Sequence, residues 1–323
     1  MIDPRTASAP GKVVLSGEYA VLDGAAAVVM AVTRRAAVTI RPGAGDASIV
    51  RAPGFTRRPG RFVVMPDGLR WLDGAGDFPL LDAAFAAAQW DTATSLDIEL
   101  DTRAFIDRET GKKIGLGSSA ALMVALITAL RASTSILPVA LSAHRAFQHG
   151  AGSGVDIAAA CTGGLLEYRM DGASVRALAW PDGLVCRVIW TGVPADTREK
   201  LARLVESRRS ASRDELAAAA DALATAWRTG SSNAVLAGLP DYVDALQRFD
   251  VDHDLGIFDA GHGRLAALAR DAGLVYKPAG AGGGDVGVLF ASDDAVLDRF
   301  VADHRLAVLA CRLDPEGSRL EWL

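Results

Sequence analysis

Four short segments of the sequence combine residue types that can handle phosphate. The sharpest is Lys113-Ile-Gly-Leu-Gly-Ser-Ser-Ala-Ala121. Gly115 and Gly117 let the backbone turn tightly without a Cβ clash, and Ser118 and Ser119 then open an apolar stretch that reads as a helix. The first N–H groups of a helix lack internal partners and lie at the positive end of its dipole. They make an anion site suited to a triphosphate, and a serine hydroxyl there can also ligate Mg²⁺. No Gly-Lys-Ser/Thr closes the segment, so it is not a Walker A loop. An ordinary glycine turn before a Ser-capped helix would read the same way.

The second segment, Pro278-Ala-Gly-Ala-Gly-Gly-Gly-Asp285, precedes an apolar strand. Its glycines suit either a flexible turn or the close approach of another backbone or a ligand. The third, Ser8 to Asp23, carries Lys12 directly after Pro10-Gly11. The fourth, Gly152-Ser-Gly-Val-Asp-Ile-Ala-Ala-Ala160, puts Asp156 at the start of an apolar helix. There a carboxylate serves as a first-turn cap or faces a cleft.

These segments need a scaffold of mixed elements. Apolar runs and alternation predict strands over 13–15, 27–32, 36–40, 61–65 and 95–100. Helices are predicted over 78–89, 120–131, 141–149 and 155–161. Residues 165–169 and 174–178 read as a hairpin turning at Asp171-Gly172. Beyond a composition shift near 183, a strand over 184–190 leads into a mostly helical 196–250 and a helix over 256–273. Strands are expected at 275, 286–290 and 306–313.

The chain has 323 residues, 50% of them apolar and 23% charged, with a net charge of −5. That length suits two domains. A mildly acidic chain without charge blocks has no footprint for nucleic acid, although a local basic cleft is compatible with an anionic small substrate. Cys161, Cys186 and Cys311 are too scattered for a disulfide framework or zinc site. The N-terminus lacks a signal-peptide pattern, and no apolar run is long enough for a membrane span. We therefore expect a cytoplasmic protein that binds neither nucleic acid nor membrane. The alanine-rich stretch at 213–226 suits packing within a domain or against a second copy, which leaves a homodimer open.

In this order and at these intervals the four segments resemble the GHMP kinases, the family of galactokinase, homoserine kinase, mevalonate kinase and phosphomevalonate kinase. Pro10 to Asp23 is similar to the first family motif, Gly115 to Ala121 to the second and Gly280 to Asp285 to the third. Together they span residues 8 to 290. The resemblance implies an α+β GHMP kinase fold. Residues 1–185 would form a ribosomal protein S5 domain 2-like, ATP-binding domain, and residues 186–323 a ferredoxin-like α/β sandwich, with the active site between them. It implies ATP as phosphoryl donor, with Mg²⁺. Gly115, Leu116, Gly117, Ser118, Ser119 and Ala120 would cradle the phosphates, with Ser119 on the metal. Asp156 matches the catalytic aspartate, and Lys12 the lysine beside it. Glu18, Tyr19, Ser153, Gly154, Gly280, Ala281, Gly282, Gly283 and Asp285 would line or support the substrate site.

Three features resemble the phosphomevalonate kinase branch. Gly17-Glu18-Tyr19 stands where mevalonate kinases usually carry Gly-Glu-His. Arg145 stands eleven residues before Asp156, where mevalonate kinases usually place a metal-binding Glu, so the second protein ligand of Mg²⁺ is unassigned. Thr191 to Thr197 is similar to a Thr-Gly-x-Pro-Ala-Ser-Thr segment, with Asp196 replacing the Ser. The implied acceptor is a small phosphorylated acid. Arg145, Arg198, Lys277 and Lys113 are candidates to meet its phosphate or carboxylate. Mevalonate or another small hydroxy acid or sugar is the alternative acceptor. A decarboxylase relative or a non-catalytic binding relative stands further off. His144 and His149 read as polar helix positions.

Overall fold

A computed structural model of the chain describes residues 3–66, 68–90, 94–131, 135–195, 200, 203–204 and 210–323. Among them the chain forms two sheets with helices packed on both, the mixed α+β architecture the sequence implied.

The first sheet is built on two long strands, β1 (Arg5–Ser16) and β2 (Ala27–Pro42), paired antiparallel. The sequence suggested two strands over 27–40. The structure joins them into one, because Pro10 pairs with Arg35 and Gly11 with Val32, which bulges Thr33 and Arg34 out of the ladder. Strands β3 (Ser48–Arg51), β4 (Gly60–Met65), β5 (Gly68–Asp73) and β6 (Leu96–Asp101) extend one end in the order β2-β6-β3-β4-β5. β7 (Leu165–Arg169) pairs with the first half of β2 and with β8 (Ser174–Leu178), which forms the expected hairpin.

Helices α1 (Pro79–Ala88), α2 (Ser118–Arg131), α3 (Leu137–Phe147) and α4 (Val155–Thr162) pack together against this sheet. α2 is buried nearly all round, as a helix apolar on every side must be.

The second sheet is β10-β11-β9-β12, all antiparallel: β9 (Val185–Trp190), β10 (Val275–Ala279), β11 (Val286–Ala291) and β12 (Ala307–Val308). All six residues of β11 are buried, because helices cover both of its faces. α5 (Ala211–Arg228) and α6 (Ser232–His253) cover one, and α7 (His262–Asp271) and α8 (Asp294–Asp303) the other. The alanine-rich stretch at 213–226 packs Leu216, Ala220, Leu223 and Ala224 into the chain's own core.

Two expected elements shrink. The helix over 256–273 begins only at His262, after a turn that closes on Asp250: its carboxylate takes the N–H groups of Ile257 and Phe258 at 2.7 and 3.0 Å. The strand over 306–313 keeps two residues before the chain leaves β9. The last strand, β13 (Arg319–Trp322), returns to pair with β1 in the first sheet. No helix among the described residues is long and apolar enough to cross a membrane.

One apolar cluster crosses from sheet to sheet, joining Val13, Leu15, Val28 and Met30 to Trp227, Tyr242, Val288 and Phe290. Trp227 is 1% exposed and packs its ring 5.8 Å from Trp180 and 6.5 Å from Phe290. Trp227→Ala should therefore lower stability by about 3–5 kcal/mol, read as a fall in the urea unfolding midpoint.

Candidate active site

Three segments far apart in sequence meet at the N-terminus of α2. Ile114 N–H donates to Phe105 O at 3.0 Å, and Ile106 bridges Lys113. This feeds the chain into Gly115 and Gly117, both left-handed at φ +90° and +78°. Lys12 N–H donates to Leu116 O at 2.9 Å, which ties β1 to the turn. The lysine side chain lies along the glycines: a Cβ at Gly117 would sit 3.2 Å from its Cγ, and one at Gly280 3.5 Å from its Nζ. A Cβ at Gly115 would overlap the Asp285 carboxylate. Lys12, the 115–119 turn and the 280–285 loop therefore form one packed group around the N-terminus of α2. Ser118 is buried, and Ser119 Oγ lies 3.4 Å from His144 Nε2 on α3.

A second group adjoins it. α4 packs on β1, with Val155 and Val14 in one apolar cluster, two residues beyond Lys12. Gly152 and Gly154 (φ +92° and +83°) form the turn into α4. Asp156 is half-buried in the helix's first turn and accepts its neighbour Ile157 N–H at 3.0 Å. Ser153 Oγ accepts from Val155 N–H, and its carbonyl takes the Tyr168 hydroxyl at 2.9 Å. Burial raises the Tyr168 pKa. The Arg145 charge lowers it and the Asp156 charge raises it. Arg145, Ser142, Tyr168 and Met170 help line a cavity of about 570 Å³.

A larger cavity, about 780 Å³, lies between residues 51–59 and Arg103 and is lined by Arg51, Phe55, Arg57, Arg58 and Glu99. Gly54 packs against Arg103 and Ile106, the stretch that feeds the glycine turn. Phe55 is 74% exposed on its wall.

Residues 82–164 match the GHMP kinases N-terminal domain. A phosphomevalonate kinase from Streptomyces sp. (strain CL190) is 30% identical over 349 aligned positions, covering 90% of each chain. The chain belongs to the GHMP kinase family. A mevalonate kinase from Aeropyrum pernix is 31% identical over 204 positions, covering 60% of this chain and 59% of that one. Among solved structures, Streptococcus pneumoniae phosphomevalonate kinase in complex with phosphomevalonate and AMPPNP superposes with a TM-score of 0.77 at 19% identity, over 97% of this chain and 100% of that one, which shows a shared fold.

Within this GHMP scaffold several expected site residues make contacts to the protein itself. Lys277 does not reach the surface. It is wholly buried, and its ammonium is spent on Glu18 Oε1, Pro278 O (2.6 Å) and Val14 O (3.4 Å). Burial lowers its pKa, while the Glu18 charge raises it. Glu18 is likewise buried, holding Lys277 with one oxygen and accepting the Tyr242 hydroxyl at 2.6 Å with the other. Tyr19 donates its hydroxyl to Ala281 O at 2.6 Å, so it grips the loop.

Gly282 and Gly283 press on Ile257 and on Gly256 with Lys200, where any side chain would collide, so they serve backbone approach. Asp285 sits between Gly115 and Ala195 N–H (3.2 Å). Burial pushes its carboxyl above the ordinary range, against the pull of that N–H, Lys12 and Lys113. Arg198 and Asp196 lie outside the described residues.

His144, Tyr168 and Tyr242 border this region, and the sequence alone does not mark them. Their partners lie 25, 15 and 224 residues away, beyond any local pattern.

Gly115→Ala places a Cβ on a left-handed residue and into Asp285. It should weaken binding of an ATP analogue at least about tenfold, or 1.4 kcal/mol, by titration calorimetry.

Proposed function

We propose that this GHMP kinase transfers the γ-phosphoryl group of ATP to phosphomevalonate, giving diphosphomevalonate and ADP. The observation that carries the phosphoryl-transfer reading is the convergence of Lys12, the 115–119 turn and the 280–285 loop on one helix N-terminus. Phosphoryl transfer asks a protein mainly for positioning and charge neutralisation. The amides of Ser118, Ser119 and Ala120 would receive the phosphates, and Lys12 would offset the charge that grows in the transition state. The cavity beside Phe55 and Arg103 offers an exposed ring and guanidinium groups to the nucleotide base. Asp156 would orient the acceptor hydroxyl and take its proton.

Mg²⁺ fits this donor set. Among the described residues no three His, Cys, Asp or Glu side chains are grouped to hold a metal by themselves. Mg²⁺ beside a nucleotide needs only one or two protein ligands, the rest being phosphate and water. Ser119 would be one of them, and the ion would supply charge neutralisation at the phosphates.

The choice of acceptor is supported by the similarity to the Streptomyces enzyme and by Arg145, a cation on the wall of the cavity near Asp156. The likeness to the Aeropyrum enzyme favours mevalonate as the second reading. We further propose a cytoplasmic enzyme of two units, 1–185 and 186–323, with β13 lent back to the first.

An ADP-release assay with Mg²⁺·ATP and phosphomevalonate, mevalonate, diphosphomevalonate, homoserine and sugars tests the reading. Turnover confined to phosphomevalonate is the expected result, and turnover with mevalonate alone would overturn the acceptor. Asp156→Asn should abolish turnover while leaving ATP-analogue binding intact by calorimetry. Arg145→Ala should raise KM for a phosphorylated acceptor on the order of tenfold or more, and an equal effect on an unphosphorylated one would remove Arg145 from the phosphate site.

A further inference from the structure

We propose that the buried pair Lys277–Glu18, braced by Tyr242, is a positioning device that sets Lys12 and the 280–284 loop in register for phosphoryl transfer. The proposal rests on the kinase reading above and goes beyond it by giving a role to side chains that touch no substrate.

The pair is fully enclosed, with side-chain exposures of 0% for Lys277 and 1% for Glu18. Every strong group in it is satisfied. The ammonium meets three acceptors, Glu18 Oε1, Val14 O and Pro278 O. Glu18 Oε2 accepts the Tyr242 hydroxyl at 2.6 Å, and that hydroxyl in turn accepts Gly17 N–H at 2.8 Å. The network joins three elements, the end of β1 with its turn, β10 and α6.

A buried ion pair is a poor way to gain stability, since desolvation offsets most of the attraction and an apolar pair of similar volume serves as well. Its directional bonds fix geometry instead. Here they fix the geometry of the site. Val14 is two residues from Lys12. Lys277 is three residues before Gly280, which lies against the Lys12 ammonium. Glu18 precedes Tyr19, which holds the carbonyl of Ala281. Motif one and the glycine loop are thus bolted together on both sides of Lys12. The Glu18 charge also offsets the repulsion between the two ammonium groups, Lys277 and Lys12. Misplacing a catalytic group by about 1 Å can cost on the order of 100-fold in rate.

The test is the neutral double variant Glu18→Gln/Lys277→Met, which removes both charges, shortens only Lys277 by one atom and leaves an acceptor for Tyr242. Three quantities are measured: the urea unfolding midpoint, kcat and KM for ATP and acceptor, and hydrogen exchange of the peptide spanning 278–285. A positioning role predicts a midpoint close to that of the unaltered protein, kcat down about 30-fold or more with KM for ATP within about threefold, and faster exchange in the loop. A stable double variant with unchanged kcat and unchanged loop exchange would overturn the proposal. If the unaltered protein turns over no acceptor, the kinase reading fails, and loop exchange alone decides the positioning claim. Should the double variant not fold, Tyr242→Phe, which keeps both charges but frees Glu18 Oε2, takes its place. Lower kcat or faster loop exchange in that variant supports the proposal, and no change in either sinks it.

Discussion

The first amide groups of α2 have no partners within the helix, and the structure brings three distant segments of the chain to that end. Bare buried N–H groups are costly, yet side chains placed over them would close that end. The solution is a wall made of backbone. Gly115 and Gly117 turn the chain so that no Cβ stands over the helix end, and Gly280 lets the Lys12 ammonium approach from the opposite side. Lys12 is laid along the turn and hydrogen-bonded through its own amide to Leu116.

Such a wall needs support from behind, and the support is polar. Successive residues of a strand point to opposite faces. On β10, Tyr276 reaches one way to His262 and Lys277 the other way to Glu18. His262 Nε2 lies 2.9 Å from the Gly284 carbonyl, which can only accept, so this nitrogen carries the proton and Nδ1 takes the Tyr276 hydroxyl at 2.8 Å. Burial lowers the pKa of His262, in keeping with a neutral ring. The glycine loop that follows β10 is thereby pinned from both faces of its strand.

The apolar core makes these bonds dependable. The cluster that runs from Val13 and Met30 through Tyr242 and Trp227 to Phe290 has no break between the two sheets. Around it, Arg169 on β7 pairs with Asp221 on α5, and Arg213 on α5 pairs with Asp23 in the turn between β1 and β2. The more exposed of these, Arg169–Asp221, adds little stability. The registration of the two sheets comes from the core and from the enclosed Lys277–Glu18–Tyr242 network.

By itself the sequence determined the local pieces: the glycine–serine turn before an apolar helix, the hairpin at Asp171-Gly172, the long helices of the second half and the order of the motifs. These follow from backbone freedom at glycine and from apolar periodicity, both of which act over a few residues. Only the tertiary structure decided which charged residues face the site. Lys277 and Lys12 both flank Gly- and Pro-containing turns in the sequence, yet one is enclosed and the other lies along the 115–119 turn. The difference is made by Glu18 and Tyr242, 259 and 35 residues from Lys277 along the chain. Desolvation and pairing are properties of a neighbourhood assembled from distant segments, and no local pattern encodes them. The same reason places Asp285 against Gly115 and His144 beside Ser119.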